Sequence, residues 1–154
     1  MLSKEEFKNY KITFWNEFKA HMSKHRGNSG RRMNWLQYRT DLSDIYFRLE
    51  TDKNAIRVCF DIQYKDEDIR SIIWEQMGEL KQVLINEMGE EGIWNEHHFN
   101  SFIPDFCRIY WEKEGVNYLK ENDRQAIFDF FEDKLVRFDR FYDIYKDILI
   151  ALIK

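Results

Sequence analysis

The stretch FDIQYKDEDIR, residues 60–70, places Asp61 and Gln63 at the end of an alternating segment, and Asp44 lies at the start of the segment before it. If the turn between the two segments falls at Asp52-Lys53, residue 51 pairs with residue 54 and Asp44 lies opposite Asp61. Directly paired strand positions project their side chains to one face, ~5 Å apart. Two carboxylates at that spacing suit Mg2+, which takes oxygen ligands and retains several waters. Asp44, Asp61 and Gln63 are thus the candidate catalytic residues, and Asp44 and Asp61 the candidate metal ligands.

Many metal-dependent nucleases share a core of helix, three strands, helix and strand, with an acid opening the second strand and an acid-x-lysine motif closing the third. Here Gln63 stands in the lysine position, Lys65 follows two residues later, and Glu17 on the first helix is a candidate third acid. The simpler alternative is the outward row of a half-exposed sheet. Acids are common at strand ends, and Asp66, Glu67 and Asp68 suit the positive first turn of a helix. A shift of the turn by one position also removes the pairing.

A second constellation is the run HMSKHRGNSGRR, residues 21–32. Lys24, Arg26, Arg31 and Arg32, followed by Trp35 and Tyr38, are candidate polyanion-binding residues. Arginine offers forked donors to phosphate, and aromatic rings stack on bases. The run matches no phosphate-loop spacing, so the alternative is a solvated loop or one paired with acids elsewhere. Residues 1–40 hold nine Lys/Arg and three Asp/Glu, a local charge of +6, which leaves −10 for the rest of a chain of net charge −4. Such asymmetry marks either a polyanion contact or two parts that pack on one another. His97 and His98 are strand neighbours that point to opposite faces and so do not share a metal. Cys59 and Cys107 lack metal-ligand spacing and read as reduced core thiols of a cytoplasmic protein. Apart from Mg2+ under the nuclease reading, no cofactor is implied.

The elements that must position these groups follow from periodicity. The 154 residues, with 44% apolar and 17% aromatic side chains, suffice for one α+β domain spanning 1–154. No apolar run reaches ~18 residues, which predicts no membrane span, and the opening MLSKEEFKNY has no signal-peptide apolar region. Ser3 and Glu6 form a capping box ahead of Phe7, Tyr10, Phe14, Phe18 and Met22 at helical spacing. Residues 34–40 read as a short strand, and 45–50 and 55–63 alternate as a hairpin joined by TDKN. A helix then runs from an Asp66 cap to Gly89, with Ile69, Ile73, Met77, Leu80, Leu84 and Met88 on one face. Residues 92–99 and 106–115 read as two further strands around Pro104. An Asn122–Gln125 box opens a last helix from about Asp123 to about Leu152. The predicted order is α-β-β-β-α-β-β-α, a mainly antiparallel sheet packed by long helices.

Phe128, Phe131, Leu135, Phe138, Tyr142, Tyr145, Leu149 and Leu152 give the last helix a wide apolar face. Part of it must cover the sheet. The far end, DILIALIK, is apolar almost all round, and a homodimer through this helix is the expectation that accounts for it.

The segments FWNEF, SGRRMNWLQYRT, IYFRLE, DEDIR, EEGIWNE and RIYWEKEGVN together resemble a bacterial family catalogued only as a domain of unknown function. The similarity runs over nearly the whole chain. In larger members of that family the domain lies C-terminal to a predicted nuclease-like domain. The resemblance implies a bacterial origin and an accessory setting in nucleic-acid processing or defence, and it assigns no activity. The favoured reading is a non-catalytic interaction domain with a nucleic acid or protein partner, and the alternative is a metal-dependent nuclease or a degenerate relative of one.

Overall fold

Ser3 caps the first helix as its sequence requires: its Oγ accepts the Glu6 N–H at 3.1 Å, and the Glu6 carboxylate accepts the Ser3 N–H. The computed structural model describes residues 2–153, in the order α1 (Lys4–Met22), β1 (Ile45–Thr51), β2 (Ala55–Ile62), α2 (Glu67–Glu79), α3 (Lys81–Met88), β3 (Ile93–His98), β4 (Phe106–Glu114) and α4 (Arg124–Ile153). The fold is α+β, with one four-stranded antiparallel sheet ordered β1-β2-β4-β3. Among the described residues, no helix is long and apolar enough to cross a membrane.

Three local features depart from the sequence pattern. Residues 34–40 do not form a strand. They hold a 3-10 turn at Trp35–Gln37, and the two buried aromatic side chains, Trp35 and Tyr38, lie three apart, the spacing of a turn. The long second helix is broken at Leu80, just after Gly78, a residue that weakens helix interiors. The last helix is entered through a 3-10 turn at Glu121–Asp123 in place of a capping box, and the Gln125 amide instead reaches forward to Asp129. Gly89 ends α3 with φ of 76°, as its left-handed cap position demands.

The core lies between the sheet and α4. Ile45, Phe47, Val58, Phe60, Ile62, Ile109 and Trp111 belong to one buried cluster with Ile127, Phe131, Leu135, Phe138 and Tyr142 of the helix. Phe138 stacks on Phe47 with centroids 3.8 Å apart. Beyond the sheet, α4 carries α1: Phe14 and Phe18 meet Phe128 at 5.4 and 5.2 Å, and Phe18 also meets Phe131. From another flank Lys134 donates to Met88 O and Arg137 to Glu87 O, so two cations of α4 satisfy carbonyls left open at the end of α3.

The opposite row of β2 and β4 is no solvated row. Cys59, Asp61, Phe106 and Arg108 are all buried there, outside the main core cluster. Asp61 and Arg108 are direct cross-strand partners. Arg108 donates through Nε and Nη2 to the two Asp61 oxygens at 2.7 and 2.9 Å, and its Nη2 also lies 3.0 Å from Glu50. Burial pushes the Asp61 carboxyl up, while the Arg108 fork pulls it down. Cys59 lies on this row and Cys107 pairs with Ile62 on the core row, so the two buried thiols are free and face opposite ways.

Removing one member of a buried ion pair strands the other charge. Arg108→Met should therefore cost ~3–5 kcal/mol in urea unfolding, and the joint change Asp61→Leu/Arg108→Met should recover most of that loss. Equal losses in the single and double variants would show that packing, not the stranded carboxylate, is responsible.

Candidate anion-binding cavity

The end of α1 and the segment after it fold into a tight structure. Ser23 closes the helix, its Oγ donating to Ala20 O at 2.6 Å, and His25 N–H donates to Met22 O. Arg26 and Arg32 then face each other as a single antiparallel bridge. Gly27 N–H donates to Arg31 O, and Gly30 N–H to Gly27 O, each at 2.8 Å, which closes a four-residue turn. Gly30 adopts φ of 84°, and a Cβ at Gly27 would fall 2.7 Å from the Met33 sulfur. The two glycines are required by the turn and by the close approach.

Acids of α4 clamp this hairpin. Asp139, 5% exposed, accepts the Asn28 N–H through Oδ2 and the Tyr38 hydroxyl through Oδ1, both at 2.6 Å. Asp143 accepts the Asn28 amide. Burial, and next the neighbouring Asp139 carboxylate, push the Tyr38 phenol far up. Two turns earlier on α4, Glu132 receives His21 Nε2 at 2.7 Å, His25 Nε2 at 2.5 Å and Lys24 at 3.2 Å. Burial raises the Glu132 carboxyl, but the bonds from His25, His21 and Lys24 outweigh it and hold it at about 2.

Between the hairpin and α1 lies a cavity of about 500 Å3 whose lining includes Lys19, Lys24, His25, Arg26 and Arg32, with Met22, Met33 and Trp35 as its apolar part. No aspartate or glutamate lines it. Among the described residues, Lys19, Arg26, Arg31 and Arg32 take no carboxylate partner, and Arg26 makes only a long bond to Gly30 O at 3.4 Å. The arrangement offers the two guanidinium groups of a hairpin fixed at its base, with the ammonium groups of Lys19 on α1 and of Lys24, itself 3.2 Å from Glu132, beside apolar surface. Its chemistry is that of a site for a phosphate carried on an organic group.

The structure brings four of the six predicted polyanion residues together here: Lys24, Arg26, Arg32 and Trp35. Arg31 does not line this cavity; it lines a second hollow, which Arg32 also borders together with Asp41, Asp139 and Asp143. Tyr38 is buried against Phe47 and Phe138 with its hydroxyl on Asp139, so its ring has no free face for a base. Lys19 was not singled out in the sequence; it lies on the exposed side of α1, one turn before Ser23.

The predicted acid pair does not form. The hairpin turn falls one position later than Asp52-Lys53: Asp52 N–H donates to Ala55 O across Lys53-Asn54, and the Asp52 carboxylate accepts the N–H groups of Asn54 and Ala55. The register therefore shifts by two, setting Tyr46 opposite Asp61 and Asp44 beside Gln63, whose N–H bonds the Asp44 carbonyl at 2.7 Å. Asp61 is held by Arg108, and Glu17, the candidate third acid, pairs with Arg124. His97 turns to Asp105 and His98 to Asn95, so the neighbouring imidazoles do not meet.

Because the folded Glu132 carboxyl lies below its ordinary value of 4.5, its contribution to stability is complete above that pH and is lost as the pH falls toward about 2. Glu132→Gln should cost ~1 kcal/mol at neutral pH, and the gap from the parent should close across that acid range in urea titrations. A gap that stays constant through acid would mean that packing alone is lost.

The family described as a domain of unknown function (DUF4268) matches the chain over residues 10–146, a span that contains the whole cavity and the α4 acids that clamp it. The chain belongs to that family. No curated protein and no solved structure matches the chain.

Proposed function

We propose that this DUF4268 member is an interaction domain without chemistry of its own, and that its cavity takes a nucleotide unit of a nucleic acid strand. The observation that carries this reading is the pair Arg26 and Arg32, unpartnered by any described carboxylate, facing a cavity shared with Lys19 and Lys24 and lined by no acid. Phosphate suits the guanidinium forks, and the apolar part formed by Met22, Met33 and Trp35 suits a base or sugar. The reading fits an accessory role in a nucleic-acid-processing or defence system, the setting implied by the resemblance. The alternative, a Mg2+-dependent nuclease using Asp44, Asp61 and Gln63, draws no support from the geometry, since Asp61 is already neutralised by Arg108.

Four phosphate contacts on a single strand predict a slope of about −3 in log K against log salt, from about −0.7 per contact. Fluorescence anisotropy with labelled single-stranded DNA and RNA measures it. The joint change Arg26→Ala/Arg32→Ala should roughly halve that slope. An unchanged slope in the double variant would move the site elsewhere on the surface.

We also propose that a second copy of the chain packs on the far end of α4. Ile144, Ile148 and Leu152, 63%, 40% and 40% exposed, recur every four residues along one stripe, whereas Leu149 is buried in the core. An antiparallel copy would cover both stripes at once. The stripe is narrow, so association should be weak and concentration-dependent. Light scattering coupled to size exclusion at tens of micromolar should give a mass above 19.1 kDa that Ile148→Glu returns to the monomer value. A monomeric mass for the parent would dispose of the interface.

A further inference from the structure

A second set of side chains lies behind the cavity, on the other side of His25. His21 is in the last turn of α1, and Asp129 and Glu132 stand three apart on α4, hence side by side on one helix face. One donor atom from each of His21, Asp129 and Glu132 lies within 4.8 Å of the others. Metal ligands bound at ~2.0–2.2 Å stand ~3.5 Å apart in a tetrahedron, so rotamer adjustments of an ångström or so would close the set. His25 follows His21 by four residues and already touches the same carboxylate, 2.5 Å from Oε2. It is available either as a fourth ligand or as the hydrogen-bond partner that orients Glu132.

Two features distinguish this set from a simple ion-pair hub. Both imidazoles present Nε2, the nitrogen usual in metal ligation, to one carboxylate. Asp129, exposed beside them, has no cationic partner among the described residues and takes only the Gln125 amide at 2.7 Å. A shallow hollow lined by His25, Asp129, Glu132 and Val136, and also by Asp133, Arg137 and Arg140, gives access from solvent; the two arginines are drawn to Asp133 and Glu87. The competing group is Lys24, whose side chain is 60% exposed and free to swing away. Imidazole with carboxylate favours Zn2+ and its neighbours in the first transition row over Mg2+ or Ca2+, which prefer all-oxygen sites.

We propose that His21, Asp129 and Glu132, completed by His25, bind a divalent transition-metal ion of the Zn2+ class that ties the end of α1 to α4. The test uses the full chain with Zn2+, with Co2+ as a spectroscopic probe and Mg2+ as the control. Calorimetry should give one saturable Zn2+ site per chain, thermal unfolding should move upward with Zn2+ and not with Mg2+, and Co2+ should give the visible bands of a tetrahedral or five-coordinate site. His21→Ala and Asp129→Asn should each weaken Zn2+ binding by roughly tenfold or more. Asp129→Asn touches only the Gln125 amide, so it tests the site even if changes at His21 or Glu132 upset the fold. Lys24→Ala should strengthen binding by removing the competitor. The absence of saturable Zn2+ and Co2+ binding, or binding unchanged in Asp129→Asn and His21→Ala, would overturn the site.

Discussion

The stacking of Phe138 on Phe47, with ring planes only 4° from parallel, fixes how α4 is rotated on the sheet, and nearly every other contact depends on that rotation. With Phe131, Leu135, Phe138 and Tyr142 turned to the core, Asp129, Glu132, Val136, Asp139 and Asp143 recur at steps of three and four down one flank. That mostly acidic flank meets the basic segment that follows α1. The charge asymmetry of the chain is thus partly internal, the N-terminal portion packing on the acids of α4. The pairing is nevertheless unusual in kind. Glu132 is occupied by two histidines and a lysine, and Asp139 and Asp143 by an asparagine and a tyrosine hydroxyl. Among the described residues the arginines of the hairpin take no carboxylate, because the acids below are occupied by His21, Lys24, His25, Asn28 and Tyr38.

Asp61 shows why residue type and place in a strand do not by themselves make a catalytic site. β2 is a central strand, flanked on both sides, and its outer row is buried by neighbouring long side chains even though it is outside the main core. A carboxylate in that position loses its water and needs a fixed cation, and Arg108 supplies one in forked geometry from the adjacent strand. A group so neutralised has no spare oxygen field for a metal.

Much of this was legible in the residues. The Ser3 box, the Asp66 cap, the Gly89 stop, the hairpin and the extent of α4 follow from local chemistry, because each is decided within a few positions. The failures share a cause: each was decided by a longer-range or less common local contact. The hairpin register turned on the Asp52 carboxylate binding two backbone N–H groups, which sets the turn at Lys53-Asn54. The segment at 34–40 read as a short strand, but Trp35 and Tyr38 are spaced for a turn and find partners on the 21–32 segment and on α4. Of the cavity, the basic residues could be read directly. What could not be read was which arginines would remain unpaired, since that depends on Asp139 facing the hairpin backbone from more than a hundred residues away. The spacings of His21 with His25 and of Asp129 with Glu132 were present in the sequence, but only the fold puts the two pairs against each other.

The dependence of sheet, hairpin and first helix on α4 has a consequence for how the chain is made. Translation produces all four strands before it produces α4, and at synthesis rates of ~5–20 residues per second the thirty residues of this helix take seconds more to emerge. During that interval Phe47, Phe60 and Trp111 lack the cover of α4, α1 has only Tyr118 and the turn at Trp35–Gln37 to pack on, and an antiparallel sheet with a partly open apolar face is the kind of species that chaperones retain and proteases clear. Closure of α4 is therefore the step that takes this apolar face out of water.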